Sequence, residues 1–160
     1  MRLARTIRFD ESDQNVFARA ADESEWAISG AFEFSDWSEE DLSGKKRQAF
    51  ANGWLGLESF GRSTFVAVAE ITEAELAALT EALATYFVAA WGAPSLDAAR
   101  PVAEAELADM QAMCDDHDPN TLLIVERRLV DAGVKETFRA IKPAEAQIDL
   151  VAIHGDRGEI

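Results

Sequence analysis

The stretch LLIVERRLVDAGVKETFRAIK, Leu122 to Lys142, decides the fold class. Leu122 to Val130 reads as a strand, and Asp131, Ala132 and Gly133 make a three-residue connection whose glycine can take a left-handed conformation. Val134 to Lys142 then returns as a second strand. This is a β-hairpin, and a hairpin pairs its strands antiparallel.

Working outward, Leu3, Arg5, Ile7 and Phe9 alternate with Ala4, Thr6 and Arg8, the period of a half-buried strand. A second strand is expected over Trp26 to Phe34, with Gly30 as a candidate bulge, and a third over Ser63 to Ile71. A last strand is expected from Gln147 to about His154. Ser38 and Asp41 form a capping-box pair, with Trp37 able to staple against Leu42. A first helix is therefore expected from Ser38 to about Asn52, short because Gly44 weakens its interior. Thr72 and Glu75 form a second box ahead of a face made by Leu76, Leu79, Leu83, Tyr86 and Ala90, and Gly92 with Pro94 stops that helix. The third helix is expected to begin at Pro101, a residue favoured in a first turn, with Ala103, Leu107, Met110, Cys114 and His117 along one stripe. The pattern predicts one α+β domain over residues 1–160: a mainly antiparallel sheet of about six strands with three helices packed largely on one face.

Nine Phe and four Trp supply enough apolar area for a core without disulfides or a structural metal. Thirty acids against fifteen bases give a net charge of -15, and from Ser63 to Glu126 twelve acids face a single base, Arg100. Such a surface repels phosphate backbones and anionic bilayers, so neither nucleic acid nor membrane is an expected partner. A single cysteine, no apolar run after the first arginines and no apolar stretch near the roughly 20 residues of a membrane span make the cytoplasm the expected location.

Two segments invite a functional reading. Met113 to Asn120 gathers Cys114, His117 and three aspartates: Asp115, His117 and Asp118 could ligate a divalent metal, or His117 could activate the Cys114 thiol one helical turn away. Against both, Cys114 lies on the apolar stripe as a small buried hydrophobe, and Asp118 to Thr121 fits a β-turn. Three acids near a helix C-terminus also oppose its dipole, which a bound cation or an earlier end to the helix would relieve. The second segment, Gly53 to Gly61, holds Trp54, Leu55, Leu57 and Phe60 ahead of Arg62. It lacks the ending of a phosphate-binding loop. Trp54, Leu55 and Phe60 therefore either tuck under the sheet or, with Arg62, form an apolar surface for a partner or ligand.

The run Phe50-Ala51-Asn52-Gly53, Leu55-Gly56-Leu57 and Phe60-Gly61-Arg62-Ser63-Thr64-Phe65-Val66, with Ala4 to Asp10, resembles small bacterial proteins grouped only as a domain of unknown function. The resemblance implies a bacterial cytosolic protein and brings no reaction, cofactor or catalytic residue. The expected function is a non-catalytic accessory or protein-interaction module, acting on a protein partner or as a homodimer, without a cofactor. The alternative is a small metal-binding protein or enzyme built on Cys114 to Asp118. The identity of any small-molecule ligand is open.

Overall fold

The hairpin is the longest pairing in the computed structural model, which describes residues 1–8 and 12–142. β6 (Leu122–Val130) and β7 (Gly133–Ile141) pair from Leu122↔Ile141 to Val130↔Gly133. The connection is one residue tighter than expected, because Gly133, at φ 125°, is itself a paired residue. The other strands are β1 (Arg2–Ile7), β2 (Trp26–Ile28), β3 (Trp54–Gly56), β4 (Arg62–Ser63) and β5 (Phe65–Glu70). All join one sheet in the order β4-β3-β2-β1-β5-β6-β7, each neighbouring pair antiparallel. The α+β class and the antiparallel sheet hold, with seven strands among the described residues instead of about six.

Alternation assigns the two faces. Thr6, Val66, Leu123 and Ala140 form one cross-strand row, so Val66, Val68, Leu123 and Val125 share a face. Their neighbours Phe65, Ala67, Leu122 and Ile124 belong to the other, where a smaller apolar cluster forms with Ile7 and Ile141. The sheet also curls. Trp54 on β3 stacks on Phe138 of β7, ring centroids 5.7 Å apart, although four strands lie between them in the pairing order.

Four helices accompany the sheet: α1 (Ser12–Val16), α2 (Gly44–Asn52), α3 (Glu73–Trp91) and α4 (Leu96–Asp115). The Thr72/Glu75 box opens α3 as expected, with the Glu75 N–H donating to Thr72 Oγ1 at 3.1 Å. α4 buries Ala99, Ala103, Leu107, Met110 and Cys114, packs on β1 and β2, and carries α3 on its flank; α2 packs against β6. Each fully buried leucine here, such as Leu3, Leu83 or Leu107, contributes about 1.5–3 kcal/mol of transfer free energy.

Several boundaries differ from expectation, each for a tertiary or capping reason. The second strand stops at Ile28: Gly30 takes φ 71°, and Ala31–Phe34 winds into a 3-10 turn. A Cβ at Gly30 would lie 2.5 Å from that of Leu55, so the chain turns where only glycine fits. The Ser38/Asp41 pair exists, with the Ser38 N–H donating to Asp41 Oδ2 at 2.8 Å, but it closes only a short 3-10 turn over Glu39–Asp41. Gly44, the first residue of α2, takes φ 54° and breaks the chain between that turn and the helix. The expected strand Ser63 to Ile71 breaks at Thr64, whose hydroxyl donates to buried Asp13 at 2.7 Å. α4 starts at Leu96 and not at Pro101, because Ser95 Oγ accepts the Ala98 N–H at 3.1 Å and so caps the helix earlier. Pro101 then sits inside the helix, where it withholds one i→i−4 bond. The strand expected from Gln147 to about His154 lies outside the described residues.

The β4 edge is closed by a parallel bridge from Ala20 to Arg62. A Cβ on Gly61 would lie 2.5 Å from the backbone C and O of Ala20. Gly61→Ala is therefore expected to destabilise the domain by about 2 kcal/mol, seen as a lower urea midpoint with an unchanged slope.

Candidate functional site

Inside the curl, two arginines meet over the same backbone oxygens. Arg127 on β6, its side chain wholly buried, donates from Nη1 to the Gly53 carbonyl at 2.8 Å and to that of Phe50 at 3.1 Å. Its Nη2 reaches the Ser29 carbonyl at 2.6 Å, and its Nε pairs with Glu136 Oε2 at 2.8 Å. Arg62 on β4 donates to the Gly53 and Ser29 carbonyls at 3.1 and 3.2 Å, to that of Gly30 at 3.1 Å, and to Glu33 Oε1 at 2.5 Å. Both guanidiniums lie over the ring of Phe34, at 4.5 and 5.3 Å. Gly53 caps the C-terminus of α2, so the cations meet the negative end of that helix's dipole. Burial pulls the Arg62 pKa down to about 10, opposed by the Glu33 charge and reinforced by that of Arg127. Burial lowers Arg127 as well, against its bond to Glu136. Both stay charged at neutral pH, and every short contact named here serves to offset their desolvation.

Glu33 extends the network outward. Its Oε2 accepts the Tyr86 hydroxyl at 2.6 Å, and Tyr86 stacks on Phe60 with ring centroids 3.8 Å apart and planes within 4°. Burial first, then this hydrogen bond, raises the Tyr86 pKa. Phe34, Trp37, Phe60 and Trp91 thereby become walls of a cavity of about 260 Å³, with Arg19, Lys45 and Lys46 also lining it. A second cavity of about 390 Å³ lies between α4 and β7, lined by Phe32, Met110, Met113 and Phe138 together with Glu106, Asp109 and Glu136. Burial, and then the charges of Asp109 and Glu136, raise the Glu106 pKa.

The residues singled out in the sequence divide sharply. Trp54 and Leu55 have no exposure at all and Arg62 is 5% exposed, so the partner surface expected there is interior: the curl folds it against β7 and the arginine pair. Phe60 is half-buried under Tyr86. Cys114 has zero exposure, and burial pushes its thiol up to about 12, far from a thiolate at neutral pH. Asp115, His117 and Asp118 gather around Arg2. The Arg2 N–H donates to Asp115 Oδ1 at 3.0 Å, its Nη1 donates to the His117 carbonyl at 2.6 Å, and Asp118 stands 4.0 Å away. A protein cation thus faces the acidic C-terminus of α4. Asp118 to Thr121 forms the expected turn, with the Thr121 N–H donating to the Asp118 carbonyl at 3.2 Å and Asn120 at φ 73°. Among the described residues no group of three or more His, Cys, Asp or Glu is placed to hold a metal ion.

Arg127, Glu136, Glu33 and Trp91 were missed. Arg127 was within reach of a sequence reading: it follows Leu123 and Val125 on the inward alternation, and the hairpin sets Glu136 opposite it. Trp91 is 48% exposed and, with Val88, Leu96 and Val102, forms the apolar elbow between α3 and α4. No single helix among the described residues is long and apolar enough to cross a membrane.

Arg127→Met leaves the Phe50 carbonyl without its side-chain donor and Glu136 without its cation, while the Ser29 and Gly53 carbonyls keep only the longer bonds from Arg62. It is expected to lose about 3–5 kcal/mol in urea unfolding, a large share of the ~5–15 kcal/mol of an ordinary domain. Glu106 acts in the opposite sense. Its folded form holds the proton more tightly than the unfolded chain, so ionised Glu106 opposes folding, fully above its raised pKa and not at all below the unfolded value. Glu106→Gln is expected to raise the urea midpoint at about pH 7 and to leave it unchanged below about pH 4.

No curated protein and no solved structure was found to match the chain. A family model covers residues 1–159, nearly the whole length, and on that match the chain belongs to DUF6505, a family of unknown function.

Proposed function

We propose that this chain is a non-catalytic protein-interaction module that docks through the elbow between α3 and α4. The carrying observation is where apolar surface is left uncovered. Of the seven large hydrophobic residues exposed among the described residues, four, Val88, Trp91, Leu96 and Val102, fall within about two helical turns of the junction between α3 and α4. Two of them, Trp91 and Val102, line a shallow apolar depression of about 290 Å³ together with Phe87, Ala93, Pro94 and Ala99. Gly92 at φ 74° ends α3 there and presents Trp91 outward. An exposed indole beside a preformed depression is the usual chemistry of an interface anchor.

Charge selects the partner. The segment from Ser63 to Glu126, which includes both helices, holds twelve acids and one base. That base, Arg100, already pairs with Glu81 at 2.8 Å and Asp97 at 2.5 Å. A second copy of the chain would bring the same negative field against itself. A partner with an apolar ridge flanked by lysine or arginine gains attraction where the copy meets repulsion. The reactive side chains support a non-catalytic role: Cys114 is buried, and Asp115 and Asp118 are turned to Arg2.

The test is titration with a leucine- and lysine-rich amphipathic helical peptide, followed by the methyl resonances of Val88 and Val102. We expect saturable shifts confined to the elbow, weakened by salt and lost in Trp91→Ala at unchanged melting temperature. Shifts spread over the acidic surface and indifferent to Trp91 would refute the docking site. Sedimentation showing a dimer that dissociates in Val102→Asp would replace the basic partner with a second copy.

A further inference from the structure

We propose that the aromatic cavity beside the arginine pair is a binding site for a small organic anion, an apolar ring or short chain carrying a carboxylate or phosphate head. The proposal stands apart from docking at the elbow: Trp91 borders both places, but the test turns on Trp37, Lys45 and Lys46, which do not line the elbow. Its first support is the charge of the lining set against that of the chain. Among the described residues, a molecule of net charge -15 lines this cavity with Arg19, Lys45, Lys46 and Arg62 and a single carboxylate, Glu33. That carboxylate is already occupied by Arg62 at 2.5 Å and the Tyr86 hydroxyl at 2.6 Å. Arg19, Lys45 and Lys46 make no ion pair among the described residues, so no described carboxylate is paired with these three positive charges at the lining. Lys45 and Lys46 also stand in the first turn of α2, whose dipole adds to the positive potential.

The second support is the form of the walls. Trp37 packs edge-on to Phe34 at 4.8 Å and stacks over Phe50 at 6.3 Å, while Phe60 is fixed against Tyr86. Arg62, held by three carbonyls and Glu33, fixes Phe34 from behind. A slot braced in this way loses little freedom on binding. At about 260 Å³ it is smaller than the ~300–1,000 Å³ of sites for drug-sized molecules and suits one or two fused rings. An apolar body would sit among Phe34, Trp37, Phe60 and Trp91, and its anionic head would face Lys45 and Lys46.

The experiment titrates the intact chain with 2-naphthoate, 2-naphthyl phosphate, 2-naphthalenemethanol and 2-naphthylmethylamine, following the four indole N–H resonances. Saturable shifts are expected at Trp37 and Trp91 but not at Trp26 or Trp54, with both anions binding more tightly than the alcohol and the amine not binding. The tighter anion identifies the head group. Lys45→Ala/Lys46→Ala is expected to weaken the anions roughly fivefold, as for the loss of two exposed cations, without moving the melting temperature. Equal affinity for anion and alcohol, shifts that spare Trp37, or unchanged affinity in the double variant would overturn the assignment.

Discussion

Two guanidinium groups, those of Arg62 and Arg127, share the carbonyls of Ser29 and Gly53, and this shared grip sets the geometry around it. Ser29 ends the run of β2 and Gly53 ends α2, while the arginines come from β4 near one edge of the sheet and from β6 near the other. Charge buried this deeply is tolerable only where nearly every donor has an acceptor. The backbone is bent to supply them. The strand stops early so that the Ser29 and Gly30 carbonyls turn toward Arg62, and α2 aims its last turn at Arg127.

The same grip organises what reaches the surface. Glu33 is drawn in by Arg62 and in turn holds Tyr86 on α3, which fixes Phe60 and locates the end of that helix. Trp91, five residues beyond Tyr86, then stands both in the wall of the aromatic cavity and on the exposed elbow, with its ring edge-on to Phe32 at 5.9 Å. One indole thus joins a slot lined with basic residues to an apolar corner between two acid-rich helices.

Local signals carried the sheet and the helices a long way. The β6–β7 hairpin, the alternation of β1 and the Thr72/Glu75 cap are each written in a few neighbouring residues; the structure has the cap where expected and begins β1 and β7 one residue early, with Phe9, the expected end of β1, outside the described residues. The resemblance carried by Phe50 to Val66 and Ala4 to Asp10 likewise led to the right family. Boundaries set by distant partners were not legible. Nothing near Gly30 announces that Leu55 and Arg62 will crowd it, and nothing near Thr64 announces Asp13. For the site, Trp54, Leu55 and Arg62 drew attention because they are bulky and oddly spaced, but spacing does not say which way a curled sheet turns them. The acids at the end of α4 raised the need for a cation. Its source, Arg2, lies more than a hundred residues away in the chain.

The place of β1 bears on how the chain is made. It is the middle one of the seven described strands, yet it leaves the ribosome first among them, with β2 following about twenty residues later and β5 about sixty. At ~5–20 residues per second its longer flank stays unpaired for several seconds. Leu3 and Ile7 are then exposed on a strand with both edges open, the condition under which chains pair wrongly with one another. Arg2, Arg5 and Arg8, interleaved through that segment, keep the nascent strand charged until its neighbours arrive.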